Sequence, residues 1–298
     1  MRASTTLMRR HTPIRLCQLL IVALFGISPT ACTNLFFQPS KVEFIRPSQL
    51  GLEYEDIYLS AADGQRLHAW YLPARTKAKA LGTILFLHGN AENMSTHIKS
   101  VFWLPAYGFN VFLLDYRGYG RSTGRADIDA AHVDVETAIG YLINRGGVDR
   151  KALVIFGQSL GGAIAIHAAA HSQYRQLIKG LVIESTFSSY RDIAREKLAE
   201  FWLTWPFQWP FSWLIFDRYS PLNSIGKLSP IPLIIIQGGR DPIVPEHHAW
   251  RLFQAAHEPK QLWIEPNMAH IQTLTIPKKR QHFVSTLKQI LNPEMHTP

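Results

Sequence analysis

The alternation of apolar and polar residues predicts an antiparallel pair of strands near the start of the folded body. Residues 54–59 and 66–72 alternate in this way, as strands do when one face rests on a core. Between them, Ala62-Asp63-Gly64 has the composition of a tight turn. We therefore predict a hairpin, in a body that begins at about Gly51.

Unbroken apolar runs follow the hairpin, and such runs are typical of parallel strands covered on both faces. Six of them occur, at residues 83–87, 110–114, 152–156, 180–183, 232–236 and 261–264. Stretches with helical periodicity lie at residues 127–144, 246–256 and 277–291. This alternation predicts an α/β fold with a mostly parallel, doubly wound sheet of about eight strands. In such sheets, functional groups gather at the carboxyl ends of the strands.

An aromatic insertion interrupts this pattern at about residues 186–223. Four of the eight tryptophans lie within residues 201–213, and Pro206 and Pro210 prevent one continuous helix there. We predict a cap over the functional pocket. Its aromatic residues have three interpretations: packing on the cap's own domain, lining an acyl-binding site, or contact with a membrane surface.

The first 31 residues have the parts of an export signal. Arginines up to Arg15 precede an apolar run at residues 19–27, which is too short to span a bilayer well. The segment Pro29-Thr30-Ala31-Cys32 resembles a bacterial lipobox, which implies a lipid on Cys32 and a membrane anchor on the extracytoplasmic side of the cell envelope. Residues 32–50 contain aromatics and prolines without a sustained period, and we expect a tether that packs on the body. A plain cleaved signal, an uncleaved anchor and a cytosolic protein are the other interpretations.

The composition of the chain narrows the classes of protein to which it can belong. The 298 residues, 47% of them hydrophobic, fit one large domain over residues 51–292 with a short tail at 293–298. The net charge is +9, or +5 without the four arginines of residues 1–31, and no basic stripe or nucleic-acid motif occurs. With Cys17 and Cys32 as the only cysteines, we expect no disulfide and no cysteine metal site. We expect no cofactor or metal, and the sequence does not indicate an oligomeric state.

A candidate nucleophile stands between an apolar run and an alanine-rich helix. The segment Gly157-Gln158-Ser159-Leu160-Gly161 has the Gly-X-Ser-X-Gly pattern of a nucleophile elbow, a sharp turn that exposes the serine at the head of the helix. Glycines flank the serine because strand and helix approach closely there. The Leu160 amide then becomes a donor for an oxyanion.

A second donor is expected in His88-Gly89-Asn90-Ala91-Glu92-Asn93, the segment that follows the apolar run at residues 83–87. We assign it to the Asn90 backbone amide and interpret His88 as a structural residue. Asp115 follows the apolar run at residues 110–114 and is another candidate for the acid. It precedes the serine, however, whereas folds with a nucleophile elbow have the order serine, acid, histidine along the chain.

Asp241 and His270 complete the predicted site. Asp241 follows a predicted strand and a glycine turn, 82 residues after Ser159, and His270 follows the last predicted strand. Asp241 would orient the imidazole, and His270 would act as general base. Glu184 and Glu265 are the reserve acids. The remaining candidate histidines, at positions 247, 248, 257 and 282, lie on or beside helices and are expected at the surface.

Together these segments resemble the α/β-hydrolase superfamily from about residue 50 to 292. The His-Gly-Asn-Ala-X-Asn segment is similar to that of membrane-associated acyl hydrolases and eukaryotic protein depalmitoylases. The resemblance implies hydrolysis of an ester or thioester of a small-molecule or acylated substrate. A serine peptidase or amidase of the same fold, and a non-catalytic envelope lipoprotein, are the alternatives.

Overall fold

A computed structural model describes residues 36–215 and 217–292. The predicted signal at residues 1–31, the lipid attachment residue Cys32 and the predicted tail at 293–298 lie outside the described residues. Within the described ranges, no helix is both long enough and apolar enough to cross a membrane.

One eight-stranded sheet forms the centre of the protein. Its strands are β1 (Glu55–Ser60), β2 (Arg66–Leu72), β3 (Gly82–Leu87), β4 (Phe109–Asp115), β5 (Leu153–Gln158), β6 (Ile178–Glu184), β7 (Leu233–Gly238) and β8 (Lys260–Glu265). Their order across the sheet is β1-β2-β4-β3-β5-β6-β7-β8. Strand β2 is antiparallel to both of its neighbours, and all other neighbours are parallel. The predicted α/β fold, with its hairpin and six parallel strands, is confirmed.

Helices cover both faces of the sheet. They are α1 (Ile128–Asn144), α2 (Leu160–His171), α3 (Tyr190–Glu200), α4 (Gln208–Trp213), α5 (His247–Ala255) and α6 (Pro277–Leu291). Every residue of β3, β4, β5 and β7 is buried, as the unbroken apolar runs predicted. Strand β8 is only partly buried because it forms an edge of the sheet. The rigid centre therefore carries the loops that follow β3, β5, β6, β7 and β8.

The described part of the predicted tether packs on the body. Phe36 and Phe37 are buried in the main core, and Gln38–Pro39 pairs in parallel with Ala91–Glu92. The Asn93 side chain donates hydrogen bonds of 3.0 and 2.7 Å to the carbonyl oxygens of Ser40 and Val42. Residues before Gly51 therefore belong structurally to the body, so its physical boundary lies earlier than the pattern of strands indicated.

Two helices, α3 and α4, occupy the insertion between β6 and β7. A short 3₁₀ turn at Trp205–Phe207 separates them, and Pro206 lies within it. Helix α3 begins at a Ser189 cap, whose hydroxyl accepts a hydrogen bond of 3.1 Å from the Asp192 amide. The large aromatic residues that follow α3 point to solvent rather than into the protein, with Trp202 and Trp213 77% and 67% exposed.

Candidate active site

Ser159 occupies a strained turn between β5 and α2. Its backbone angles are φ 52° and ψ −117°, a conformation that is costly for a residue with a side chain. The Ser159 amide donates a hydrogen bond of 2.9 Å to the Glu184 carbonyl at the end of β6, which fixes the turn against the sheet. Ser159 thus stands at the amino end of α2, where the first amides of a helix lack acceptors within the helix.

Glycines make this turn sterically possible. A Cβ atom on Gly157 would lie 2.4 Å from the Gly161 carbonyl oxygen, and one on Gly161 would lie 2.1 Å from the Leu87 carbonyl oxygen. Gly162 approaches Thr186 just as closely. At Gly157 and Gly161 the obstructing atoms belong to the backbone and cannot give way as a flexible side chain can, so the sequence keeps these two positions free of side chains.

Asp241 and His270 are in direct contact. Asp241 Oδ2 lies 2.7 Å from His270 Nδ1, while Oδ1 accepts hydrogen bonds from the amides of Ile243 (2.8 Å) and Val244 (2.9 Å). Burial acts to raise the pKa of Asp241, but the hydrogen bond to His270, the charge of that imidazole and the two amides outweigh it, so the pKa lies below its usual value. The carboxylate is therefore ionised and fixed in orientation.

Glu184 links the loop of Ser159 to the loop of His270. Its carboxylate accepts a hydrogen bond of 2.7 Å from Gln158 and one of 3.1 Å from the Thr273 amide. The next residue, Ser185, accepts one of 3.2 Å from the Ile271 amide. Burial raises the pKa of Glu184, although these hydrogen bonds oppose the shift. Glu184, the alternative candidate for the acid, thus holds two loops together. Asp241 is the carboxylate that pairs with His270.

Strained backbone is concentrated in these same loops. Among the described residues other than glycine, positive φ angles occur at Glu92, Ser159, Ser185 and Ile271. All four follow the carboxyl ends of strands, and Ile271 is directly after His270. A β-branched residue with φ of 49° is a clear outlier, which the surrounding hydrogen bonds maintain. Strain of this kind is typical of functional sites.

A cavity of about 300 Å³ opens above Ser159. Both predicted oxyanion residues, Asn90 and Leu160, line it together with Ser159. The rest of its wall is largely apolar and comes from Phe36, Gln38, Phe187, Ile193, Ala194, Lys197, Ile243 and Val244. A larger groove, of about 610 Å³, lies along α1 and α2 and contains none of the predicted catalytic residues. The smaller cavity is therefore the one that contains the predicted nucleophile and both predicted oxyanion residues.

Sequence reasoning missed part of this wall. Phe36 and Gln38 lie in the segment interpreted as a tether, and Phe187, Ile193 and Ala194 lie just before the aromatic stretch. None of the four tryptophans of residues 201–213 belongs to the wall. The aromatic residues of the tether indicated that it packs on the body, but not that Phe36 lines the cavity.

His88 is a structural residue. It is fully buried, its Nδ1 lies 2.7 Å from the Gly89 carbonyl oxygen, and its ring packs on Tyr116 with centroids 4.6 Å apart. The neighbouring His97 stacks on it with centroids 5.4 Å apart. Burial lowers the pKa of His97 to about 3, and the proximity of His88 acts in the same direction. His97 is therefore neutral near pH 7, and both rings are packed parts of the scaffold.

His248 is not at the surface, contrary to the expectation from its position on a helix. It is fully buried, and its Nδ1 accepts a hydrogen bond of 3.1 Å from the Ser188 amide. Because an amide only donates, the neutral ring carries its proton on Nε2, which lies 3.1 Å from Glu196 of α3. Burial lowers the pKa of His248. The prediction fails because α3 folds over α5.

The same residues form a group that is able to hold a metal ion. One ligand atom from each of Glu196, His247 and His248 lies within 4.8 Å of the others. In the described hydrogen-bond pattern, however, His248 Nε2 donates to Glu196, so its lone pair is not free for a metal. The group instead connects the cap to α5.

The other candidate acids have partners elsewhere. Glu265 binds Lys279 across 2.6 Å, and Asp115 accepts a hydrogen bond of 2.7 Å from the Met94 amide. His247, His257 and His282 are exposed, as expected. Among the residues assigned from the sequence, Ser159, Asn90 and Leu160 share the cavity, Asp241 and His270 contact each other, and Cys32 lies outside the described residues.

Comparisons with known proteins identify the family of the chain. The family model Hydrolase_4, described as "Serine aminopeptidase, S33", matches residues 78–224. The chain is 34% identical to the YfhR protein of Escherichia coli over 271 residues, which are 89% of this chain and 90% of that protein. It is 33% identical over 244 residues to WAV2 of Arabidopsis thaliana, described as an alpha/beta hydrolase domain-containing protein, with 78% of each chain covered.

Solved structures show the same fold. A Pyrococcus furiosus esterase superimposes with a TM-score of 0.67 at 23% identity, covering 87% of this chain and 98% of the esterase. Acetyl xylan esterase 1 from Thermoanaerobacterium superimposes with a TM-score of 0.62 at 18% identity, covering 84% and 86%. Given the sheet order, the elbow and the extent of identity to its relatives, the chain belongs to the α/β-hydrolase family.

Proposed function

We propose that this protein is a serine hydrolase that cleaves an ester or thioester of an acylated substrate through an acyl-enzyme on Ser159. The single observation that carries the proposal is the strained Ser159 at the floor of an apolar cavity, joined through Glu184 to the loop of the Asp241–His270 pair. No metal or cofactor takes part in the proposed reaction.

The proposed reaction has two halves. Ser159 Oγ attacks the substrate carbonyl carbon while His270 Nε2 takes the hydroxyl proton, and the Asn90 and Leu160 amides stabilise the oxyanion. The carbon–oxygen or carbon–sulfur bond then breaks, and the imidazolium returns the proton to the departing alcohol or thiol. Water attacks the acyl-enzyme with the same base and releases the acid. Asp241 keeps the imidazole in the required tautomer throughout.

The cavity wall supports an acyl substrate. Phe36, Phe187, Ile193 and Ala194 present apolar surface beside Ser159, which matches a hydrocarbon chain better than a charged group. The charged side chain Lys197 lies at the wall, where its ammonium donates to the Pro242 carbonyl oxygen over 3.0 Å. An acyl chain in the cavity therefore removes apolar surface from water on both sides of the contact.

A fluorophosphonate probe tests the nucleophile directly. The wild-type protein is expected to be labelled, whereas Ser159→Ala is expected to remain unlabelled. Ser285→Ala is a matched control, because that serine is exposed on α6 and bonds only within its helix. Equal labelling of wild type and Ser159→Ala would rule out the proposal, as would labelling of neither.

A peptidase or amidase is the second candidate, because the matching family model is described as a serine aminopeptidase. The same nucleophile and acid–base pair would serve an amide bond, whose nitrogen leaves only after protonation by His270. Initial rates on p-nitrophenyl acyl esters of graded chain length are to be compared with those on aminoacyl p-nitroanilides. A higher kcat/KM on the anilides would favour the peptidase.

We further propose that the protein is exported and is held on the outer side of a membrane in the cell envelope by a lipid on Cys32. The supporting pattern is the arginine-rich start, the apolar run at residues 19–27 and the lipobox-like Ala31-Cys32. Cys32→Ser is expected to abolish incorporation of a labelled fatty acid. Incorporation that persists in Cys32→Ser would contradict the anchor.

A third possibility, a binding protein of the envelope without catalysis, is tested in cells. If catalysis is the function, Ser159→Ala abolishes the phenotype that the wild-type gene restores, although the variant protein accumulates to the same level. Restoration by Ser159→Ala would favour the binding protein.

A further inference from the structure

We infer that the cap binds the surface of a lipid bilayer through its exposed aromatic residues, and that this contact presents acyl substrates to the cavity of Ser159. The inference deepens the proposed acyl hydrolase and rests on it. The contact surface, called the cap patch below, consists of Phe201, Trp202, Leu203, Trp205, Phe207, Trp209 and Trp213.

Every residue of the cap patch is about half exposed or more. The four tryptophans are 77%, 59%, 53% and 67% exposed in chain order, and the other three residues are 49–55% exposed. A tryptophan side chain has roughly 250 Å² of surface, so the tryptophans alone present on the order of 500 Å². Apolar surface on this scale marks a site of interaction with a partner or a membrane.

The chemistry of the cap patch fits a bilayer interface. Residues 201–215 include no charged residue, and four of these 15 are tryptophan, which favours the boundary between headgroups and acyl chains. Arg195 lies at the edge of the patch, 4.6 Å from the centre of the Trp209 ring, and its guanidinium is paired with Asp192 over 3.2 Å. The positive net charge of the chain, +5 without residues 1–31, favours a surface with anionic headgroups.

The described part of the chain begins beside the cap. Phe36, the first described residue, packs on Tyr190 and Phe187 at the base of the cap, with ring centroids 5.0 and 6.3 Å apart. The apolar run ends at Ile27, nine residues earlier, and nine extended residues reach at most about 30 Å. A membrane segment or lipid attached before Phe36 therefore keeps the cap close to the bilayer.

Helix α3 connects the cap patch to the cavity. Ile193, Ala194 and Lys197 of α3 form part of the cavity wall, and the helix runs directly into Phe201 at the start of the patch. An acyl chain that leaves the bilayer beside the patch thus meets the apolar wall within the length of one short helix. This arrangement predicts faster hydrolysis of substrates embedded in vesicles than of the same ester group in solution.

The experiment uses the full-length protein with vesicles of phosphatidylcholine and phosphatidylglycerol. The first measurement is quenching of tryptophan fluorescence by lipids brominated on their acyl chains. The second is the ratio of activity on a vesicle-embedded long-chain ester to activity on soluble p-nitrophenyl butyrate. The variants are the double Trp202→Ser/Trp213→Ser, at the two most exposed positions, and the quadruple change that adds Trp205→Ser and Trp209→Ser.

The wild type is expected to be quenched, and the quadruple variant is expected to lose this quenching. The activity ratio is expected to fall about ten-fold or more in the quadruple variant and part of the way in the double variant, while soluble activity stays within about two-fold. Tyr58→Ser is the control, because Tyr58 is 46% exposed on β1, the strand at the far edge of the sheet. It is expected to leave both measurements unchanged.

An unchanged ratio and unchanged quenching in the quadruple variant would overturn the inference. The inference would also be overturned if the patch bound a second copy of the chain instead. In that case sedimentation would show a wild-type dimer that the double substitution dissociates, while quenching by the vesicles would persist in the double variant. Failure of the proposed function looks different. In that case the wild type hydrolyses neither ester, yet bromolipid quenching still reports whether the cap patch enters the bilayer.

Discussion

Gln158 donates a hydrogen bond of 2.7 Å to the carboxylate of Glu184, and both side chains are completely buried. Gln158 precedes the proposed nucleophile, and Glu184 also accepts from the amide of Thr273, three residues after His270. Glu184 thus connects the loop of Ser159 to the loop of His270 through partners that lie 26 and 89 residues away from it in sequence. Its removal is expected to affect both loops together.

Two replacements of Glu184 distinguish the contribution of its side-chain volume and hydrogen bonds to stability from that of its charge. Glu184→Ala leaves the Gln158 amide and the Thr273 amide as buried donors and opens a cavity, so it is expected to cost about 3 kcal/mol or more in free energy of unfolding. Glu184→Gln is expected to cost about 1 kcal/mol or less, because rotating the Gln158 amide by half a turn restores the bond. Urea unfolding measures both values, and equal losses would contradict the account.

Asp241→Asn tests the orientation of His270. The asparagine oxygen still accepts from the Ile243 and Val244 amides, so its NH₂ group faces His270 Nδ1 and forces the proton onto Nε2. An imidazole in that tautomer cannot accept the Ser159 proton. We expect kcat on a soluble ester to fall about 10³–10⁴-fold, by analogy with serine proteases, with the melting temperature nearly unchanged. A loss of less than ten-fold would argue against the assigned role.

The glycines of the elbow yield a prediction on stability. Gly161→Ala puts a methyl group 2.1 Å from a backbone oxygen of β3, and we expect a loss of about 3 kcal/mol or more, or no folded protein. Gly146→Ala is the matched control, because nothing lies within 4 Å of the added atom, and a change within about 0.5 kcal/mol is expected. Thermal unfolding of the two variants side by side checks this contrast.

Acid is expected to destabilise the protein through His97. Its pKa is lowered to about 3 in the folded state from about 6.5, so between these values the unfolded chain binds a proton that the folded one does not. Stability is therefore complete above pH 6.5 and declines as the pH falls. From pH 7 to pH 5 this residue is expected to remove about 1–2 kcal/mol.

The matched variant is His97→Gln, which retains a donor for the Ala91 carbonyl oxygen but does not titrate. Urea unfolding at pH 7 and pH 5 gives the free energies. The difference between the two pH values is expected to be smaller in His97→Gln than in wild type by about the same 1–2 kcal/mol. Identical differences would mean that His97 does not contribute.

The strands were predictable because their signal is local. The apolar runs became β3 to β8, which are buried on both faces except for the edge strand β8, and each strand differs from its predicted span by at most two residues at either end. Those ends depend on hydrogen bonds made by the loops. The turn at Ser159 was also predictable, because the spaced glycines and the change from strand to helix all lie within a few residues of one another.

Features that depend on contacts between distant parts of the chain could not be predicted from the sequence. His248 is buried only because α3, which begins almost 60 residues earlier, folds over it, and no periodicity within α5 records this. The role of Glu184 depends on partners 26 and 89 residues away. The outward direction of Trp202 and its neighbours likewise depends on how the cap docks, because the same composition suits a buried cluster.

Phe36 has a practical consequence for anyone who wishes to prepare a shortened protein. A fragment that begins at Gly51, where the strand pattern starts, would lose the ring that contacts Tyr190 edge-to-face and forms part of the wall of the cavity at Ser159. Such a fragment would retain the entire sheet and the Asp241–His270 pair, yet water would enter beside the serine. A shortened protein for crystallography and kinetics should therefore begin no later than residue 36, because Phe36 and Gln38 already form part of the cavity wall.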